Sequence, residues 1–257
     1  MADAYSAAAS FMRDAMGSAP VKQNEIIVVR GDHDRIEEVF SKAGTPFKLI
    51  ERYQIDSTGL SPEQAVFVNC LGEGLGQNDI RAVRNYVDNG GCLTTTDWAL
   101  KSVVEKAFPG FIKYNGITTR NDVVEVRFCN STYLNGLNGL RPQWWLEVQS
   151  FPIKILKKDV QVLIDSDEMK QKYNDGAIAV TFEYGKGRVF HMVSHYNLQQ
   201  TKSSRKGMSA KEFAKEILGV SVKGELEQKL DGVSADQFEA AFSANMFVHN
   251  IVADRRK

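Results

Sequence analysis

The feature that most constrains this chain is an alternation of short β-branched runs with helical stripes across residues 25–107. Glu25-Ile-Ile-Val-Val-Arg30 is apolar on both faces, so it reads as a buried parallel strand. Ile36, Val39 and Phe40 then repeat at helical spacing up to Gly44. Phe47–Ile50 and Ala65–Asn69 read as further strands, with a short turn at Ser61-Pro62 between them. Asn78–Asn89 carries Ile80, Val83 and Val87 and stops at Gly90-Gly91, a fitting helix terminator. Cys92–Thr96 is a fourth strand, and Trp98, Leu100, Val103, Val104 and Ala107 are helical again. Strands alternating with helices predict a parallel sheet with helices on both faces.

After Pro109 the pattern changes. Val123–Phe128, Val160–Ile164, Ile178–Glu183 and Arg188–Val193 read as strands, and Asn130–Arg141 as loop. The last two strands flank Tyr184-Gly-Lys-Gly187, which predicts an antiparallel hairpin. Residues 3–16 place Tyr5, Ala8, Ala9, Met12 and Met16 on one helical face, ended by Gly17-Ser-Ala-Pro20. Ala210–Leu218 is helical, and Ser234–Asp254 is a second C-terminal helix with capping-box spacing from Ser234 to Gln237. Its stripe is Phe238, Ala241, Phe242 and Met246. The expected divisions are an amphipathic helix over 1–20, an α/β domain over 21–220 and a helical extension over 221–257.

Composition removes several function classes. Lys+Arg and Asp+Glu are both 32, so no basic field attracts a nucleic-acid backbone. No apolar run approaches the roughly 20 residues of a membrane span. Asp3 and Asp14 stand where a signal peptide would be basic, and no apolar core follows. Cys70, Cys92 and Cys129 have neither metal-type spacing nor an even-numbered framework, so they read as reduced thiols of a cytoplasmic protein.

In an open parallel sheet, ligands sit beyond the carboxyl ends of the strands. That singles out Gly31–Asp34, Cys70–Gly76, Thr96–Trp98 and Ser194–Asn197. Asp97 precedes a helix and reads first as its N-cap, as do Asp32 and Asp34 for the helix after them. Asp32, His33 and His195 offer oxygen and nitrogen donors, but a metal there requires separate loops to converge, and none is expected. His191 and His195 fall on one strand face. Cys70 ends a strand on the proper side and is a nucleophile candidate. Leu71-Gly-Glu-Gly-Leu-Gly76 lacks the Lys-Ser/Thr of a P-loop, so it reads as a glycine-rich turn. Trp144 and Trp145 point to opposite faces if in a strand, one to the core and one free to stack on a ligand or partner.

The order of these parts resembles the class I glutamine amidotransferases. Val66-Phe-Val-Asn-Cys-Leu-Gly-Glu-Gly74, a helix, Gly90-Gly91, strand 92–96, a turn at Asp97 and Gly187-Arg-Val-Phe-His-Met-Val-Ser-His195 carry the likeness. They are more similar still to degenerate relatives, the ThuA-like proteins and the amidotransferase-like domains of gliding and intraflagellar-transport proteins. The resemblance implies a flavodoxin-like three-layer α/β/α sandwich with an antiparallel edge extension. It places the family's nucleophilic Cys at Asp97 and its His-Pro-Glu on His195-Tyr196-Asn197. The His is kept, the Cys has become Asp and the Glu has become Asn.

An Asp is a far poorer acyl-transfer nucleophile than a thiolate, and Asn cannot stabilise an imidazolium as a carboxylate does. The leading expectation is therefore a non-catalytic binding or assembly module. It would engage a protein partner or a second copy through its terminal helices and use no cofactor. The first alternative is a hydrolase using Asp97 or Cys70 with His195. The second is a sugar or nucleotide sensor binding at Gly72, Glu73, Gly74, Asp97, Trp98, His195 and Asn197.

Overall fold

The computed structural model describes residues 1–16, 25–71 and 74–254. The expected break at Gly17–Pro20, and Gly72 and Glu73 of the glycine-rich turn, lie outside the described residues. The strands are β1 (Ile26–Val29), β2 (Lys48–Ile50), β3 (Ala65–Val68), β4 (Cys92–Thr96), β5 (Ile112–Tyr114), β6 (Asp122–Glu125), β7 (Arg127–Phe128), β8 (Gln143–Leu146), β9 (Ile153–Ile155), β10 (Gln161–Asp165), β11 (Ala177–Tyr184) and β12 (Gly187–Met192). Eight of them form one sheet in the order β2-β1-β3-β4-β12-β11-β10-β7. The first five pair in parallel, and β11, β10 and β7 continue the sheet antiparallel. The alternating pattern and the hairpin are thus both present. The two-stranded ribbons β5-β9 and β6-β8 add to them. The sequence pattern assigned no strand to β5 or β9, each of three residues.

The helices are α1 (Ala2–Met16), α2 (Ile36–Ala43), α3 (Ile55–Thr58), α4 (Gln77–Asp88), α5 (Glu105–Ala107), α6 (Asp167–Tyr173), α7 (Ala210–Glu216), α8 (Glu225–Lys229) and α9 (Ala235–Asp254). A π-wound segment, Leu100–Val104, leads into α5. β1 and β3 are buried at every position, as central strands covered on both faces must be. Phe67, Thr94 and Phe190 are register neighbours on one face. There Phe67 meets Phe40 of α2 at 5.2 Å and Tyr196 at 6.2 Å, and Tyr196 meets Phe247 of α9 at 6.3 Å. On the opposite face, Phe182 packs against Phe108 at 6.0 Å and Phe111 at 4.4 Å.

The terminal helices fold back onto this body. The Tyr5 hydroxyl donates to the Tyr196 carbonyl (2.6 Å) and accepts from the Leu198 amide (2.8 Å), which ties α1 to the segment after β12. Phe11 meets Phe238 and Phe242 edge-on at 5.5 and 5.8 Å. The apolar stripes of α1 and α9 are therefore filled by this chain itself. α9 is buried well beyond the stripe read from its sequence. Its buried Glu239 accepts two bonds from the Arg205 guanidinium, and its Asp236 accepts from the Ser204 and Arg205 amides. Among the described residues no helix is long and apolar enough to cross a membrane.

Gly187 opens β12 where the chain passes close to two backbone segments. A Cβ there would lie 2.2 Å from the Val87 carbonyl oxygen and 2.3 Å from that of Gly91. Neither neighbour is a movable side-chain tip. Gly187→Ala is expected to destabilise the fold by about 1–3 kcal/mol, the range for overpacking. Urea unfolding reads this directly, and an unchanged midpoint would contradict the packing described.

Candidate functional site

The five parallel strands follow the 2-1-3-4-5 order of flavodoxin-like sheets, with β12 in fifth place, so the crevice falls at their carboxyl ends. Cys70 follows β3, Asp97 follows β4 and His195 follows β12. Three residues far apart in sequence are thereby brought together, all buried. The β1–α2 loop is held against the same end, because the Asp32 and His33 amides both donate to the Cys70 carbonyl (2.9 and 3.4 Å).

Asp97 sits on a sharp strand-to-helix elbow with φ +44°, a left-handed backbone that a side-chain-bearing residue adopts only under constraint. Its amide donates to the Met192 carbonyl (2.8 Å), which ties the elbow to β12. Its carboxylate is not the helix cap expected from the sequence. Oδ2 accepts from Ser150 Oγ and Oδ1 from the Phe151 amide, both at 2.8 Å. The side chain is thus turned away from its own helix onto the loop between β8 and β9. Trp98 seals the same loop, its indole N–H donating to the Gln149 carbonyl (2.8 Å) and its ring stacking on Phe151 at 5.7 Å.

His195 Nε2 lies 3.4 Å from Asp97 Oδ2, within ion-pair distance but without hydrogen-bond alignment. Its Nδ1 lies 3.2 Å from Glu147 Oε2. Cys70 Sγ lies 3.9 Å from Asp97 Oδ2. The side chains of His195 and Asp97 are only 2% and 3% exposed. Burial opposes a charge on His195, yet the Asp34 and Asp97 carboxylates and the Cys70 contact outweigh it and hold its pKa well above the usual range. That shift favours the protonated ring, which is poorly suited to accept a nucleophile's proton. Burial also pushes the Cys70 thiol up to about 11, against the lowering contact with His195, so the thiolate needed for attack is scarce.

The other residues singled out in the sequence fall elsewhere. Asn197, placed where the family has its Glu, turns away and donates to Glu38 of α2 (3.0 Å). Glu147 supplies the carboxylate on that side of the imidazole. It was missed because it lies in a loop 48 residues before His195, with no motif around it. Asp34 does not cap α2. It accepts from Thr96 Oγ1 (2.9 Å) and the Arg35 amide (2.8 Å), while Asn69 Oδ1 accepts from the Ile36 amide at the helix start. Asp32 does not cap α2 either but pairs with Arg52 (3.0 Å), and His33 lies against Trp98 at 4.9 Å. Those two do not join His195 in a donor cluster. Gly74 is exposed. Neither tryptophan of β8 is a free platform: Trp144 donates to Ser243 Oγ (2.9 Å), and Trp145 donates to Asn121 Oδ1 (2.5 Å) with its ring 6.0 Å from His195. His191 is buried with Nδ1 2.8 Å from Thr95 Oγ1.

No family model matches this chain, and no curated protein matches it. Solved structures do. A protein assigned to GMP synthase, as one of its subunits, from Thermoplasma acidophilum superposes with TM-score 0.55 at 12% identity, over 91% of this chain and 96% of that one. A ThuA-like protein from Bacteroides uniformis superposes with TM-score 0.47 at 13% identity, over 69% of this chain and 84% of that one. The first shares its fold with this chain, a flavodoxin-like α/β sandwich. At these identities the likeness is one of fold.

Two outcomes follow. Asp97→Ala leaves the Ser150 hydroxyl and the Phe151 amide without their acceptor and the His195 ring without its ion-pair partner, and it should destabilise by about 3–5 kcal/mol, as breaking a buried pair does. Denaturant melts of the two proteins check it, and a loss under about 1 kcal/mol would make the network incidental. The second concerns pH. Burial lowers the His191 pKa from 6.5 to about 3. Below pH 6.5 the unfolded chain takes up a proton that the native chain refuses, so stability falls as pH drops from 6.5 toward 3. His191→Gln should flatten that part of the stability profile, and parallel wild-type and variant profiles would contradict the assignment.

Proposed function

We propose that this chain is a non-catalytic, degenerate amidotransferase-like domain that acts by engaging a protein partner or a second copy of itself. One observation carries the reading. At the elbow where the resemblance places a nucleophile, the Asp97 carboxylate is already taken by Ser150 Oγ, the Phe151 amide and His195. A buried carboxylate engaged in this way holds a loop in place and does not attack a substrate. The loop it holds covers the site, so a binding role falls to the surface outside it. Tyr53, in the 3-10 turn after β2, and Val148, in the loop after β8, are 74% and 54% exposed and give that surface apolar area.

The test is release of ammonia from glutamine, with a panel of small esters beside it. Wild type and His195→Ala are expected to match the buffer blank. Turnover by wild type that disappears in His195→Ala would overturn the reading.

One observation favours a second reading. Cys70, His195 and Glu147 come together in the order nucleophile, base and orienting carboxylate. A hydrolase of this kind would need the loop carrying Glu147–Phe151 to lift. Iodoacetamide then decides: alkylation of Cys70 in the folded protein faster than of the half-buried Cys129 supports an opening site, and the reverse order supports the closed one.

A further inference from the structure

The three side chains that meet at the closed site also form a donor set of a particular kind. One donor atom each from Cys70, Asp97 and His195 lies within 4.8 Å of the other two. The two distances from Oδ2 are 3.9 Å to sulfur and 3.4 Å to nitrogen. Around a tetrahedral zinc ion, bonds of about 2.0–2.3 Å place neighbouring ligand atoms about 3.3–3.7 Å apart. The two edges that meet at Oδ2 are thus close to those of such a tetrahedron.

Four observations point to a cation there. His195 Nε2 is buried, aimed into the cluster and has no hydrogen-bond partner. Its other nitrogen faces Glu147 at 3.2 Å, the carboxylate–histidine arrangement that orients an imidazole toward a metal. Asp97 is itself held by Ser150 Oγ, which donates to Oδ2, and by the Phe151 amide, which donates to Oδ1. Finally, Asp97 and Glu147 face a single imidazole at 3.4 and 3.2 Å, and among the described residues neither has a Lys or Arg partner. A divalent cation would balance that negative charge.

We propose that Cys70, Asp97 and His195 bind one zinc ion, with Glu147 and Ser150 as the groups that orient the ligands. One thiolate sulfur, one imidazole nitrogen and one carboxylate oxygen make a borderline-soft set that suits zinc and excludes magnesium and calcium. Loading takes the proton from the Cys70 thiol and the Nε2 proton from the imidazole, so two protons leave as the dication enters. The site is enclosed, and metal uptake is coupled to folding. The ion would lock together the ends of β3, β4 and β12. This inference goes beyond the non-catalytic reading, and either can fail without the other.

The experiment uses untagged full-length protein from zinc-supplemented medium, dialysed against a weak chelator and analysed for metal by mass spectrometry. The expected result is about one zinc per chain in wild type, and a more than tenfold loss of retained zinc in Cys70→Ser. Zinc below a tenth of an equivalent in wild type, or equal retention in Cys70→Ser, would overturn the proposal. Should Cys70→Ser fail to fold, protein produced with cobalt replaces it. An intense thiolate-to-cobalt charge-transfer band in the near ultraviolet supports the site, and its absence at stoichiometric cobalt refutes it.

Discussion

The carboxyl end of the sheet is organised by the bonds that Asp97 accepts from Ser150 and Phe151. Charge-assisted hydrogen bonds of this kind are among the stronger ones in a protein interior. They hold a left-handed elbow in place, fix the loop between β8 and β9 over the site, and set a negative charge beside His195. Burial opposes a charge on the imidazole, but the Asp34 carboxylate, with Asp97 beside it, raises its pKa. The high thiol pKa of Cys70 follows from burial in the same enclosure. An elbow that could present a reactive group to solvent is thereby turned into a buried joint between β4, β12 and a distant loop.

The periodicity of residues 25–107 showed four parallel strands and the helices between them, because alternation of period and breaker is local in sequence. The sequence also pointed to Cys70, Asp97 and His195 as a set, since each follows a strand and carboxyl ends of parallel strands converge. Its local nature misled at Asp97, however. A carboxylate just before a helix is most often that helix's cap, and nothing within ten residues shows that Ser150 and Phe151 will compete for it. Glu147 was invisible for the same reason. Its partner is 48 residues away, and the loop that carries it becomes a wall of the site only once β8 and β9 are placed. The adjacent tryptophans gave the correct alternation but the wrong exposure, because the layers packed over both faces of β8 cannot be read from β8.

The terminal helices show the same limit on a larger scale. The stripe of Phe238, Ala241, Phe242 and Met246 describes one face of α9, which suits a surface helix. In the structure α9 is wedged among α1, α7 and the turn at Thr132–Leu134, and it is buried on most of its circumference. Its buried Glu239, Asp236 and Ser243 find partners there in Arg205, Ser204 and Trp144. What α1 and α9 contribute is therefore a second layer over one face of the sheet, and the loops at the carboxyl end remain the outward surface of the site.

The claim that Asp97 holds the site shut is tested most directly by hydrogen exchange at the Phe151 amide, the donor to Asp97 Oδ1. If the loop is a structural wall, that amide exchanges only through global unfolding, and its protection equals that of the central strand β3. If it exchanges orders of magnitude faster than β3 while the sheet stays protected, the loop opens on its own. The carboxylate would then be the latch of a working site, which contradicts a purely structural role for Asp97.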